Sequence, residues 1–207
     1  MKLRRSFFAA LLAALAVMLS GCGESIVYDQ SGYTPGTCTD GVFTSPSGLS
    51  CTLNEDWFVY DAKSLEELTG LKHDLNDRQL VEDMLNSGQA LYELYAVQSD
   101  RTILRVTAED LRVRYGDISA QDYAEIQADH LPTMADTFSL TDVACQVVEV
   151  DINGERCPSV YMTSTMVHVK HYEQYVYLLR GNYLYTITCS SVENDRCAEL
   201  LDLFRTA

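Results

Sequence analysis

Four histidines, seven cysteines and thirteen tyrosines are the residues of this chain best suited to chemistry. His168 and His171 invite a metal reading. On a strand, residues three apart point to opposite faces, so the pair cannot grip one ion without a break between them, and both are expected at a surface or an edge. Asp129-His130 could be half of a catalytic relay, but no Gly-x-Ser-x-Gly elbow supplies a nucleophile, and His130 is expected on a helix surface or at its packed edge. Asp151-Ile-Asn-Gly-Glu155 has the composition of a calcium loop without its twelve-residue ligand spacing, and a hairpin turn at Asn153-Gly154 explains it. Glu66-Glu67 and Glu82-Asp83 fall near helix starts or on polar faces, where they complement the helix dipole or face water. Phosphate-binding loops, dinucleotide fingerprints and zinc-protease helices have no counterpart here. No catalytic residue, metal or cofactor is assigned.

Tyrosine is crowded between Tyr161 and Tyr185. Such rings can stack on sugars or anchor a protein partner, and they also fill the faces of a sheet. The second role is expected to dominate.

The first twenty-two residues carry an address. Lys2, Arg4 and Arg5 precede an apolar run, Phe7 to Met18, that is too short to span a bilayer. The run ends in Leu19-Ser20-Gly21-Cys22, which resembles the lipobox of bacterial lipoproteins. That resemblance implies export, diacylglyceryl attachment to the Cys22 thiol and cleavage just before it. Two or more acyl chains make a durable anchor where one alone holds only marginally. The expected location is therefore the outer face of a membrane, held through lipid on Cys22. The chain carries a net charge of −15, and removing residues 1–21 takes away only basic side chains. Such acidity argues against nucleic acid and against docking on anionic lipid.

Three regions follow: residues 1–21 as a signal peptide, 22–37 as the lipidated cysteine with a flexible tether, and 38–207 as a single domain. Gly41–Ser45 and Leu49–Leu53 read as short strands about Ser45-Pro46-Ser47-Gly48. Ser64 and Glu67 form the pattern of a capping box, and Gly70 stops that helix. A second helix is expected from Asp77 to Ser87, with Leu80, Val81, Met84 and Leu85 as its stripe. Strands at Ala90–Val97 and Thr102–Thr107 precede a helix that begins at Ser119 and ends or kinks at Pro132. From Val143 the pattern is β, with hairpins at Asn153-Gly154 and Gly181-Asn182. The second hairpin pairs Val176 with Ile187 and Leu178 with Tyr185. Both of its faces are apolar, so it is expected inside a sheet covered on both sides. A last helix is expected to carry Cys197, Leu200, Leu201 and Phe204. The fold class is α+β, an antiparallel sheet with helices packed on it.

Six cysteines remain once Cys22 is lipidated, and six allow fifteen pairings. No Cys-x-x-Cys occurs, so neither redox nor zinc motifs are supported. Cys189 continues the inward face of Tyr185 and Ile187, and Cys197 lies on the apolar stripe of the last helix. A Cys189–Cys197 disulfide is expected. Cys145 and Cys157 should sit on opposite faces, opposing Met162 and Val150. The pairing of Cys38, Cys51, Cys145 and Cys157 stays open.

The run Gly41-Val-Phe-Thr-Ser-Pro-Ser-Gly-Leu-Ser-Cys-Thr-Leu-Asn-Glu-Asp-Trp57 resembles the opening of PsbP-like domains, with Asn54 where that group has proline. Asn182-Tyr-Leu-Tyr-Thr-Ile-Thr188 and the helix after it resemble the group's ending. The resemblance implies an antiparallel sheet flanked by helices and a binding or assembly role, and it transfers no catalytic residue.

These observations lead to a non-catalytic, lipid-anchored binding or assembly domain for an envelope protein or peptide. The competing expectation is an envelope hydrolase whose residues converge only in the fold. A deep pocket holding His130 or His168 beside a carboxylate and a hydroxyl marks the enzyme; a shallow aromatic patch marks binding.

Overall fold

The computed structural model describes residues 27–207 apart from Asp136. The signal segment and Cys22 lie outside the described residues. Strict alternation of apolar and polar side chains builds the centre. In Ile103–Asp110, Leu104, Val106 and Ala108 are fully buried on one face, while Arg105, Thr107 and Glu109 share the other. That strand is β6 of eleven. The others are β1 (Thr37–Thr39), β2 (Val42–Thr44), β3 (Leu49–Thr52), β4 (Phe58–Val59), β5 (Leu91–Val97), β7 (Thr141–Ile152), β8 (Glu155–Met166), β9 (Val169–Arg180), β10 (Tyr183–Val192) and β11 (Phe204–Thr206).

Seven strands form the main antiparallel sheet in the order β4-β5-β6-β10-β9-β8-β7, and four form a small one, β1-β2-β3-β11. The β9–β10 hairpin pairs Val176 with Ile187 and Leu178 with Tyr185, in the expected register. Val150 opposes Cys157 and Cys145 opposes Met162, also as expected. Both faces of the main sheet are covered. On one face the small sheet adds Phe43, Leu49, Cys51 and Phe204 to a core with Leu104, Val106, Val176 and Ile187. Helix α2 (Arg78–Asn86) and the short α4 (Cys197–Leu201) close that core with Leu85 and Leu200. On the opposite face α3 (Ala120–His130) lays Tyr123 and Ala124 over Tyr175, Tyr177 and Leu184. Beside it α1 (Ala62–Thr69) packs Leu65 on Tyr95. The α+β architecture read from the sequence is the one observed.

Local chemistry sets the ends of these helices. Ser119 and Asp122 make a reciprocal capping box at α3. Asp77 caps α2, and Gly70 ends α1 in the left-handed conformation. The start of α1 differs from expectation. Asp61 is the cap, accepting from the Ser64 amide at 2.7 Å, so Ser64 lies inside the first turn. An aspartate three residues upstream outcompetes serine for the free amides.

Phe204 also departs from the expected last helix. Helix α4 ends at Leu201, and Phe204 opens β11, opposite Cys51 of β3. Its burial needs no helix, because pairing with an open strand edge satisfies the backbone as well.

Two further departures concern the N-terminal segment and the sulfurs. In the span expected to be a tether, residues 28–36 pack on the domain. Tyr33 is buried, Gln30 donates to Asp110 at 2.8 Å, and the Gly36 amide donates to Glu93 at 2.9 Å. The expected Cys189–Cys197 disulfide is not formed: all six described cysteines are free thiols. Both side chains do sit in the same core, and the Cys197 thiol lies 3.8 Å from the carbonyl oxygen of Cys189.

Candidate functional site

Between the main sheet and α3 lies a cavity of about 290 Å³. Its floor is the polar face of three neighbouring strands. Register places Arg105 beside Thr188, which faces Tyr175 in turn. One step along, Thr107 stands beside Thr186, which faces Tyr177. Tyr92 of β5 pairs with Thr107 and completes that row.

A bulge in β5 makes the fit possible. The register slips between Tyr92 and Leu94, inserting Glu93 as the extra residue. Tyr92 and Tyr95, three apart, therefore pair with Thr107 and Arg105, which are two apart on β6. Glu93 turns to the other side, where Tyr33 Oη donates to it at 2.7 Å.

The roof is α3 with the 3₁₀ turn Leu131–Met134, contributing Tyr123, Gln127, Leu131 and Met134. Pro132 in the first turn of that segment stops α3 and bends the chain across the opening. The loop after α1 brings Leu71 and His73 to one side, and Met84 of α2 reaches the same wall. His73 is fixed by a 2.7 Å contact from Nε2 to the Tyr92 carbonyl oxygen, and burial holds its pKa below the usual histidine value. Tyr123 packs edge-on against Tyr177 and Tyr115, with ring centroids 5.1 and 5.2 Å apart.

Charge is sparse and deep. Glu109 accepts a 2.8 Å hydrogen bond from Tyr123 Oη, yet burial still pushes its carboxyl above the ordinary range. Arg105 lines the cavity, and the surface it keeps is cavity wall. Its buried Nε has no hydrogen-bond partner, and Arg105 makes no ion pair among the described residues. Glu173 is the nearest carboxyl influencing it, but Glu173 sits beside the hydroxyls of Tyr175 and Ser190, and burial raises its pKa too.

The histidines divide. His130 lines the cavity, as do Glu109, Thr107 and Thr133. This is the grouping expected of a hydrolase, but the required links are absent among the described residues. Thr133 Oγ1 donates to the backbone oxygen of His130 at 2.6 Å, while Glu109 is engaged by Tyr123. His168 is not on a strand: with Val167 it forms the β8–β9 turn at φ 65° and 49°. His171, half-buried on β9, pairs with Ser164 and Val192. Neither lines the cavity, and no cluster of metal-ligating side chains occurs among the described residues. The Asp151–Glu155 loop is a hairpin whose Glu155 is clasped by the Arg180 fork at 2.6 and 2.8 Å.

Sequence reasoning missed Arg105, Thr107, Glu109, Thr186 and Thr188 as a group. On β6 alone the first three look like the wet side of a half-exposed strand. The available signal was the neighbour: the β9–β10 hairpin is apolar on both faces, so any strand beside it shares a covered surface on both sides.

The chain matches no protein-family model and no curated relative. Among solved structures it is similar to the solution structure of cyanobacterial PsbP (CyanoP) from Synechocystis sp. PCC 6803. The identity is 13% and the TM-score 0.46, over 91% of this chain and 99% of that one. A crystal structure from Bacteroides thetaiotaomicron VPI-5482 is similar at 12% identity and TM-score 0.39, over 81% of this chain and 48% of that one.

Proposed function

We propose that this chain is a non-catalytic binding domain, held by lipid on Cys22 at the outer face of a membrane, that engages an envelope protein or peptide. One observation carries the binding half of the reading: a cavity with a polar floor and an apolar roof, whose chemically capable side chains are not linked into a catalytic relay. A few fixed polar groups among apolar walls is the general character of a ligand site. The lipobox pattern at Leu19–Cys22 supports the address.

Two experiments test this. A photoreactive amino acid at Leu131, on the cavity wall, should capture a discrete envelope product on intact cells. The same group at exposed Arg156 should not. Equal labelling at both sites sinks the binding assignment. Cys22→Ser should abolish incorporation of a tagged fatty acid and release the protein or leave an uncleaved precursor; unchanged labelling refutes the anchor.

The second reading, an envelope hydrolase, is favoured by His130 lining the cavity with Glu109 and Thr133. His130→Ala should leave biological activity intact if the domain only binds. Loss of activity at unchanged thermal stability would make the hydrolase the better account.

A further inference from the structure

A buried guanidinium without a partner is an expensive thing for a fold to keep. An unpaired charge taken out of water carries a desolvation cost of several kcal/mol. Burial works against the Arg105 charge, while Tyr92, Tyr175, Tyr95 and Glu173 together favour it, but none of them is hydrogen-bonded to its buried Nε. Arg105 therefore stands in the cavity floor with a guanidinium N–H left without a partner, and with Thr107, Thr188 and Tyr92 as neighbouring polar groups. The geometry points to Arg105 as the recognition group for a carboxylate on a small ligand whose apolar or aromatic body lies beneath α3. This rests on the cavity being a binding site.

Three features select that ligand class. Arginine's planar fork matches a carboxylate with two parallel N–H donors. Two arginines line the cavity, but Arg114 acts on Glu109, which leaves Arg105 as a single cation near Glu173. One cation beside a carboxyl disfavours a doubly charged phosphate, because repulsion among anions grows with the ligand's charge. Leu71, Met84, Leu131, Met134, Tyr123 and Tyr177 give the rest of the cavity an apolar lining. Its volume, about 290 Å³, falls near the lower end of small-molecule sites. A free organic acid and the C-terminus of a peptide offer the same chemistry.

The test is calorimetric titration of the full chain, purified from membranes in detergent. The probes are 3-phenylpropionate, its uncharged analogue 3-phenylpropanamide, a tetrapeptide ending in phenylalanine, and inorganic phosphate. The acid should bind at least about tenfold more tightly than the amide, the scale of one hydrogen bond to a charged group. Phosphate should not displace it. Arg105→Gln should erase the preference, and Arg105→Lys, which keeps the charge but loses the fork, should weaken it; near-ultraviolet circular dichroism checks that both variants are folded. If the tetrapeptide binds more tightly than the free acid, the carboxylate is a peptide terminus; the reverse order makes it a metabolite.

Equal affinity for acid and amide, displacement by phosphate, or a preference surviving Arg105→Gln would each overturn the proposal. So would a failure of both organic acids to bind. In any of these cases, specific capture at Leu131 would leave the broader binding assignment standing; without that capture, both fall.

Discussion

Strands β6, β9 and β10 present two faces that obey different rules. Toward the small sheet they offer Leu104, Val106, Ala108, Val176, Leu178, Ile187 and Cys189, each almost or wholly without exposed surface. Toward α3 the same strands offer Arg105, Thr107, Glu109, Tyr175, Thr186 and Thr188. Both faces are covered, so exposure to solvent does not explain the difference. The first face is packed against side chains throughout; on the second, α3 packs on Tyr175, Tyr177 and Leu184, while a cavity lies over the polar side chains beside them. The comparison teaches that a buried face need not be a core. Where polar side chains are roofed over and left partly unengaged, the proposed ligand has room that packing would otherwise fill.

The largest effect should come from breaking the packed face. Leu104→Ala removes a fully buried side chain from the main core and should cost about 2–5 kcal/mol in urea unfolding. A loss below about 1 kcal/mol would mean that this face is also loosely packed, and the contrast would dissolve. The adjacent residue should behave in the opposite sense. Arg105→Met removes a cation whose buried Nε has no hydrogen-bond partner and which makes no ion pair among the described residues, so stability should stay level or rise by about 1 kcal/mol. A clear loss of stability would identify Arg105 as a structural partner of Glu173 and weaken the case for a ligand.

Much of the packed face could be read in advance, because it follows from alternation and turn chemistry. Asn153-Gly154 announces its hairpin, having residues that tolerate φ 53° and 92°. The β9–β10 register then follows from matching apolar faces. The turn at Val167-His168 carries no such announcement: valine is a poor residue for φ 49°, and the flanking pairing holds it there. The cavity was illegible for a different reason. It arises from the distance between α3 and the sheet, and from a one-residue bulge at Glu93, neither of which leaves a periodic trace. The N-terminal segment was misread because its Gly, Ser and Pro content suggests a tether. Its attachment depends on single contacts to residues far along the chain, from Gln30 to Asp110 and from Tyr33 and Gly36 to one carboxylate.

That carboxylate supplies the subtlest test, because Glu93 is buried on the packed side with one oxygen left unpaired. It is buried, with Oε1 accepting from Tyr33 Oη and the Gly36 amide, while Oε2 has no partner. Burial raises its pKa, and the two hydrogen bonds only partly oppose that rise. The sign for stability follows. At a pH below the ordinary glutamate value, folded and unfolded chains are both protonated, and the group contributes no pH dependence. As pH rises, the unfolded chain ionises first, so the folded state loses ground until pH passes the raised folded value. Glu93→Gln cannot titrate and keeps an oxygen for Tyr33 and Gly36. Its stability relative to the wild type should therefore improve as pH rises above the ordinary glutamate range, by less than either change above. Urea midpoints of both proteins, measured at several pH values, give that difference directly and cancel the titrations of His73 and the other shared groups. A difference that is flat with pH, or that shrinks as pH rises, would show that the bonds from Tyr33 and Gly36 outweigh burial. Glu93 would then be a stabilising clasp for the N-terminal segment.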